Sequence, residues 1–179
     1  GGEIALQVAL RYPDLVDRLV LFNTTAYTGP WIHDIGRAWI AAGRTRDGLH
    51  YYRTTIPVIY SPQYYQSRID WMKRRESVLV PIFSNPVFLD AMERLTLSSE
   101  SFDVRERLPL LKAKTLIVSA EEDYLTPVAA QLYLRDRIPG FIGVVRDAQA
   151  SGLHPRRDLR EAIQELLVEL LAVVAGERP

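Results

Sequence analysis

A chain of 179 residues with 47% apolar and 25% charged residues has the make-up of an ordinary globular protein, and this length can bury roughly two-thirds of its unfolded surface. Net charge is zero at neutral pH, so nothing in the overall charge favours nucleic acid or an anionic membrane as partner. The lack of cysteine excludes a disulfide framework, a thiolate metal site and a cysteine nucleophile, and fits a cytoplasmic protein. No apolar run approaches the ~18 residues of a membrane span, and no stretch has the pattern of a secretory signal.

The chain opens Gly1-Gly2-Glu3 without methionine and runs at once into EIALQVALR, residues 3–11. Ile4, Ala5, Val8 and Ala9 recur there at helical spacing, which predicts a helix with an apolar stripe. Two flexible glycines hard against a helix are an unusual start, so further sequence upstream is expected. Tyr12-Pro13-Asp14 stops the helix, because the residue before a proline is pushed out of the α region. VDRLVLF, residues 16–22, ends in an apolar run of strand length. Helix, proline turn and buried strand make half of a parallel α/β unit.

From Tyr27 to about Ser101 strand-like runs vanish, and the pattern predicts several short helices broken by Pro and Gly. Trp31, Ile35, Ala38, Trp39 and Ala42 form one stripe; Leu49, Tyr52, Ile56 and Ile59 form a looser one, ended by Ser61-Pro62. Tyr64, Tyr65, Ile69, Trp71 and Met72 lead to Val78, Leu79 and Val80 before Pro81, and a further short helix covers residues 86–95. Such stripes pack helices onto a core, and the same aromatics could line an apolar pocket. His33 and His50 each stand without a set of ligands at metal spacing, and adjacent His33 and Asp34 do not share a helix face.

Strand texture returns in TLIVSAEEDYLTP, residues 115–127. A β-branched and apolar run ends in small Ser119 and Ala120, then Glu121, Glu122 and Asp123, then Thr126-Pro127. The run reads as a strand buried on both faces, and Pro127 reads as the first turn of a helix extending through Arg137. Residues 141–145 are a short final strand. A closing helix over 158–174 puts Leu159, Ile163, Leu166, Leu167 and Leu170 on its inner face. Asp123 thus sits on the loop leaving the carboxyl end of a buried parallel strand, where open α/β sheets place their chemistry. A structural role is also open to it, as N-cap of the helix beginning near Pro127.

Gly1-Gly2-x-Ile4-Ala5-Leu6-x-x-Ala9-Leu10-x-Tyr12-Pro13-x-x-Val16-x-x-Leu19-Val20-Leu21 resembles the α/β-hydrolase superfamily just after its nucleophile elbow. Glu121-Glu122-Asp123-x-x-Thr126-Pro127 resembles the segment that carries that family's triad acid. Lys114 stands where the family usually has Pro, and Ser119 or Ala120 near its usual Gly. The resemblance implies a partial three-layer α/β-hydrolase fold: the last three strands of the parallel sheet (19–22, 115–119 and 141–145) plus a helical cap insertion. The divisions it implies are core 1–27, cap 28–102 and core 103–179. Gly1 and Gly2 become the end of the elbow, and the serine would stand two residues before Gly1.

In a serine hydrolase an imidazole takes and returns the hydroxyl proton, and a carboxylate orients that imidazole. On the resemblance Asp123 is the acid. The family's histidine slot falls on Gln149 or Ala150, neither of which is a base, and His154 lies four or five residues later. Either a rearranged loop brings His154 to Asp123, or the histidine is lost and His154 is a loop residue. The parent activity implied is hydrolysis of an ester or related acyl bond in a small apolar substrate. Trp31, Trp39, Tyr60, Tyr64 and Trp71 are the candidate pocket residues, and no metal or organic cofactor is implied. The competing expectation is a non-catalytic hydrolase-like module that binds a small molecule or partner protein. Strand 19–22 would present an open edge, so pairing with an N-terminal segment or a second copy is expected.

Overall fold

The computed structural model describes residues 1–147, with side chains described through Phe141. The expected closing helix over 158–174, together with Gln149, Ala150 and His154, lies outside the described residues. The chain divides into two units, one formed by Gly1–Ala26 with Val104–Pro179 and the other by Tyr27–Asp103.

The first unit holds a three-stranded parallel sheet: β1 (Arg18–Phe22), β2 (Lys114–Ala120) and β3 (Phe141–Asp147), in the order β1-β2-β3. Leu21 is opposite Ile117, and Ile117 is opposite Val144. As the central strand, β2 buries Thr115 through Ser119 without a break, the signature of a strand covered on both faces. The expectation of a buried strand here is met only in part. Leu19 and Leu21 are buried, whereas Val20 is 40% and Phe22 60% exposed. Its alternation is that of a strand with one covered face, and among the described residues only β2 pairs with it.

Helix α1 (Gly2–Arg11) buries Leu6 and Ala9 rather than the stripe read from Ile4, Ala5, Val8 and Ala9; Ile4 and Val8 are exposed. Successive residues lie about 100° apart around a helix, so the inner face is rotated by about one residue's step, a little over a quarter turn. A Cβ on Gly2 would run into the Thr24 side chain, so the first turn of α1 lies flush against the loop leaving β1. Helix α7 (Val128–Arg135; α2–α6 belong to the other unit) returns along β2 and buries Gln131 and Leu134.

The second unit is helical throughout: α2 (Pro30–Arg44), α3 (Gly48–Ile59), α4 (Pro62–Ser67), α5 (Ile69–Phe83) and α6 (Pro86–Ser99). Local chemistry sets their starts. Proline opens α2, α4 and α6, where its missing N–H costs nothing. Asp47 accepts from the Leu49 and His50 amides, Ser61 from Tyr64 and Asn85 from Val87, each satisfying donors that a helix leaves open. Pro81 does not stop the third stripe as expected; it lies in the last turn of α5, which continues to Phe83. The core of this unit is Ala42, Tyr51, Tyr52, Ile56, Phe83 and Leu89. Its two ends meet: Tyr27 bridges Asp103 in antiparallel fashion, and the Thr28 amide donates to the Phe102 carbonyl at 2.8 Å.

Gly48, at the start of α3, is pressed onto the end of α5. A Cβ there would collide with the Val80 carbonyl and the Ser84 hydroxyl, and would stand 2.7 Å from the Ser84 amide. Gly→Ala within a helix ordinarily stabilises by about 0.5–1 kcal/mol; here backbone overlap reverses the sign. Gly48→Ala should cost about 1–3 kcal/mol, the usual range for overpacking. All three tryptophans lie in this unit, so urea unfolding followed by their emission reads it directly. An unchanged midpoint would mean that α3 slides clear of α5.

Candidate functional site

Parallel strands put all their carboxyl ends on one edge of a sheet, and there the loops after β1 and β2 meet. Asn23 adopts φ 42°, a left-handed conformation that asparagine tolerates better than most residues. Its amide donates to the Val118 carbonyl at 3.0 Å, and its Oδ1 accepts from the Ala120 amide at 2.8 Å. The side chain thus takes over where the β1–β2 ladder ends, and the chain leaving β2 is released into a turn.

Asp123 organises that turn. Its Oδ1 accepts from the Leu125 and Thr126 amides at 2.9 and 2.8 Å, and its Oδ2 accepts from the Thr126 hydroxyl at 2.9 Å. The alternative role as cap of α7 is corrected: the N-cap is Pro127, and no side chain caps that helix. Asp123 instead closes a turn ahead of the helix, because Leu125 and Thr126 offer their amides first. An ionised carboxylate has about four acceptor positions. With three donors in place, one acceptor position is left over at Oδ2.

Gln131, fully buried on α7, joins the two loops. Its Oε1 accepts from the Thr24 amide at 3.1 Å, and its Nε2 donates to the Thr126 carbonyl at 3.2 Å. Thr24 is the residue against which Gly2 lies. A continuous set of contacts therefore runs from the start of α1 to the acid turn. Sequence reading passed over Gln131, although a lone amide inside VAAQLYLR was its signal. Nearby, Ser119 Oγ and Glu122 Oε2 are buried without a hydrogen-bond partner among the described residues. Glu3, in the first turn of α1, has its carboxyl pushed up by burial.

The five candidate pocket residues, all in the helical unit, are not brought together as one set. Tyr60 and Tyr64 stack with centroids 5.5 Å apart, and Trp71 meets both edge-on at 5.9 and 6.1 Å. The Arg75 guanidinium lies over Trp71 at 5.0 Å and Tyr60 at 5.9 Å, a cation–π arrangement. Trp39 instead packs against the helical core with its indole N–H buried and unpartnered, and Trp31 is 57% exposed. His33 reaches Glu100 as well as Asp34, at 3.5 and 3.7 Å; sequence spacing gave no sign of Glu100. Among the described residues no group of three His, Cys, Asp or Glu could hold a metal, and no helix is long and apolar enough to cross a membrane.

No protein-family model matches the chain. The solved α/β hydrolase enzyme MGS-M2, from a Medee basin deep-sea metagenome library, is 48% identical, with a TM-score of 0.80 over 82% of this chain and 53% of that one. A hydrolase from Pseudomonas aeruginosa PA01 is 20% identical, with a TM-score of 0.74 over 96% of this chain and 61% of that one. The enol-lactonase from Burkholderia xenovorans LB400 is 19% identical, with a TM-score of 0.68 over 96% and 62%. At those last two identities the likeness is one of fold. A protein of Agrobacterium fabrum (strain C58) carrying the name carbamate hydrolase RutD is 28% identical over 142 residues, 78% of this chain and 52% of that protein. The chain spans about half the length of the curated relatives it matches. With three parallel strands, helices and these neighbours in agreement, the fold is a partial α/β-hydrolase fold, and the chain belongs to the α/β-hydrolase superfamily.

Proposed function

We propose that this chain carries the acid of a Ser-His-Asp triad whose serine stands upstream of Gly1. The parent reaction is hydrolysis of an ester or related acyl bond in a small apolar substrate. The observation that carries this reading is the place and state of Asp123. Its carboxylate leaves the central strand at the carboxyl edge, is fixed by three donors and keeps one acceptor position. A carboxylate so held can orient an imidazole and stabilise its charged form; His154 is the candidate imidazole. The Tyr60–Tyr64–Trp71 cluster is the apolar surface proposed for the substrate. Because β1 pairs on one side only among the described residues, we assign its other edge to an upstream segment of the same protein or to a second copy. A monodisperse monomer by light scattering would rule out the second copy.

The test is turnover of p-nitrophenyl esters. These 179 residues alone should give none above buffer. A polypeptide extended upstream through a G-x-S elbow should turn over, and Asp123→Asn should lower its kcat by about 10⁴, the scale for misorienting the base of a triad. His154→Ala should act as strongly if His154 is the base. Turnover by the 179 residues themselves would refute the upstream nucleophile. A second reading, a non-catalytic binding module, is favoured by Gln149-Ala150 in the histidine slot. It predicts a well-folded extended protein with no ester turnover.

A further inference from the structure

We propose that Gln131 is a positioning residue for the acid turn, a buried strut that sets Asp123 in register with the loop against which α1 begins. This rests on the assignment of Asp123 as the triad acid; the strut itself is read from geometry alone. A fully buried amide is costly unless both its ends are bonded. Both ends of Gln131 are bonded, and to two different loops: Thr24, 107 residues away in sequence, and Thr126. The amide can sit only one way round, since the Thr24 N–H needs an acceptor and the Thr126 carbonyl needs a donor.

Thr126 is also the residue whose amide and hydroxyl grip Asp123. The carbonyl of that residue is therefore held by Gln131 while its donors hold the carboxylate. Moving α7 would drag the acid with it. Helix α7 does not need Gln131 for its own hydrogen bonding, and an apolar side chain would fill the same volume. What the amide supplies is the fixed distance between two loops. Thr24 is 4% exposed, so without Oε1 its amide has no ready access to water.

Amide hydrogen exchange by NMR on the full 179-residue chain tests this, and no turnover enters the measurement. A failed esterase assay would leave the strut itself standing and remove only its catalytic meaning, and failure of the strut would leave the triad reading untouched. In Gln131→Met, protection at Leu125 and Thr126 should fall at least tenfold, while Ile117 and Val118 in β2 change less than twofold. Gln131→Glu keeps the acceptor for Thr24 but sets a carboxylate against the Thr126 carbonyl. Burial and that carbonyl raise the new carboxyl above its ordinary value of about 4.3. Its neutral form, which can donate to Thr126, is therefore fully present below that value and lost as pH rises through the raised one. Protection of the turn in Gln131→Glu should recover on acidification, a rescue absent in Gln131→Met. The proposal is overturned if the turn amides keep native protection, if strand and turn amides fail together, or if acidification rescues nothing.

Discussion

Ile117→Ala should lower the stability of the sheet unit by about 2–5 kcal/mol, the range for truncating a fully buried aliphatic side chain. Ile117 has no exposed surface and sits at the middle of β2, between Leu21 of β1 and Val144 of β3. Removing three carbons forfeits about 0.8 kcal/mol of transfer free energy each. The cavity adds to this, because a strand paired on both sides cannot move in to close it. Trp31, Trp39 and Trp71 all lie in Tyr27–Asp103, so their emission is not the probe for this unit. Urea unfolding followed by amide exchange at Leu116–Val118 is. Val20→Ala, at a side chain 40% exposed, is the control and should cost under about 1 kcal/mol, since little surface leaves water there. A cost below that for Ile117→Ala would mean that the sheet is not organised on β2. The acid turn is anchored to the same strand through Ala120 and Asn23, so loosening β2 should loosen Asp123 as well.

That strand was the most legible part of the sequence, for a physical reason. A run of β-branched residues closed by small and acidic ones has few conformations that bury it and still satisfy its backbone. The edge strand was less so: residues 19–22 are an unbroken apolar run, and only which face of the strand is covered decides that Val20 and Phe22 lie exposed while Leu19 and Leu21 are buried. The inner face of α1 was missed by a fraction of a turn, because Ile4 and Val8 are apolar yet exposed, and hydrophobicity alone cannot say which of two adjoining stripes meets a sheet. Pro81 reads as a stop in the sequence, but near the end of a helix a proline removes one bond where few remain to lose. Gln131 and Glu100 were invisible as partners because their contacts span 107 and 67 residues of chain. Asp123 was placed on its loop by pattern, while its turn was decided by which amides came within reach first.

Tyr52→Ala should be the most damaging single change in the helical unit, at about 3–5 kcal/mol, the range for emptying a buried aromatic site. Tyr52 is 1% exposed, its ring lies against Phe83 at 6.2 Å, and its hydroxyl donates to the Met72 carbonyl at 3.1 Å. Tyr52→Phe keeps the ring and loses the bond, so it should cost about 1 kcal/mol. The pair of variants separates packing from hydrogen bonding, both read by tryptophan emission during urea unfolding. The same tyrosine makes the unit sensitive to alkali. Burial first, then Tyr65 and Glu76, raise the Tyr52 phenol, with Arg75 opposing; burial also raises Tyr51, and Tyr60 against the pull of Arg75. A phenol raised in the fold contributes stability in full below the unfolded value of about 10, and that contribution is lost as pH rises through the folded value. Of nine tyrosines, these should lag behind the exposed ones in the tyrosinate absorbance and then ionise together with a cooperative change in tryptophan emission. Tyr52→Phe should make that alkaline loss less steep. A single titration of all tyrosines near pH 10, with emission unchanged, would show that the helical core is open to hydroxide and that Tyr52 is not its keystone.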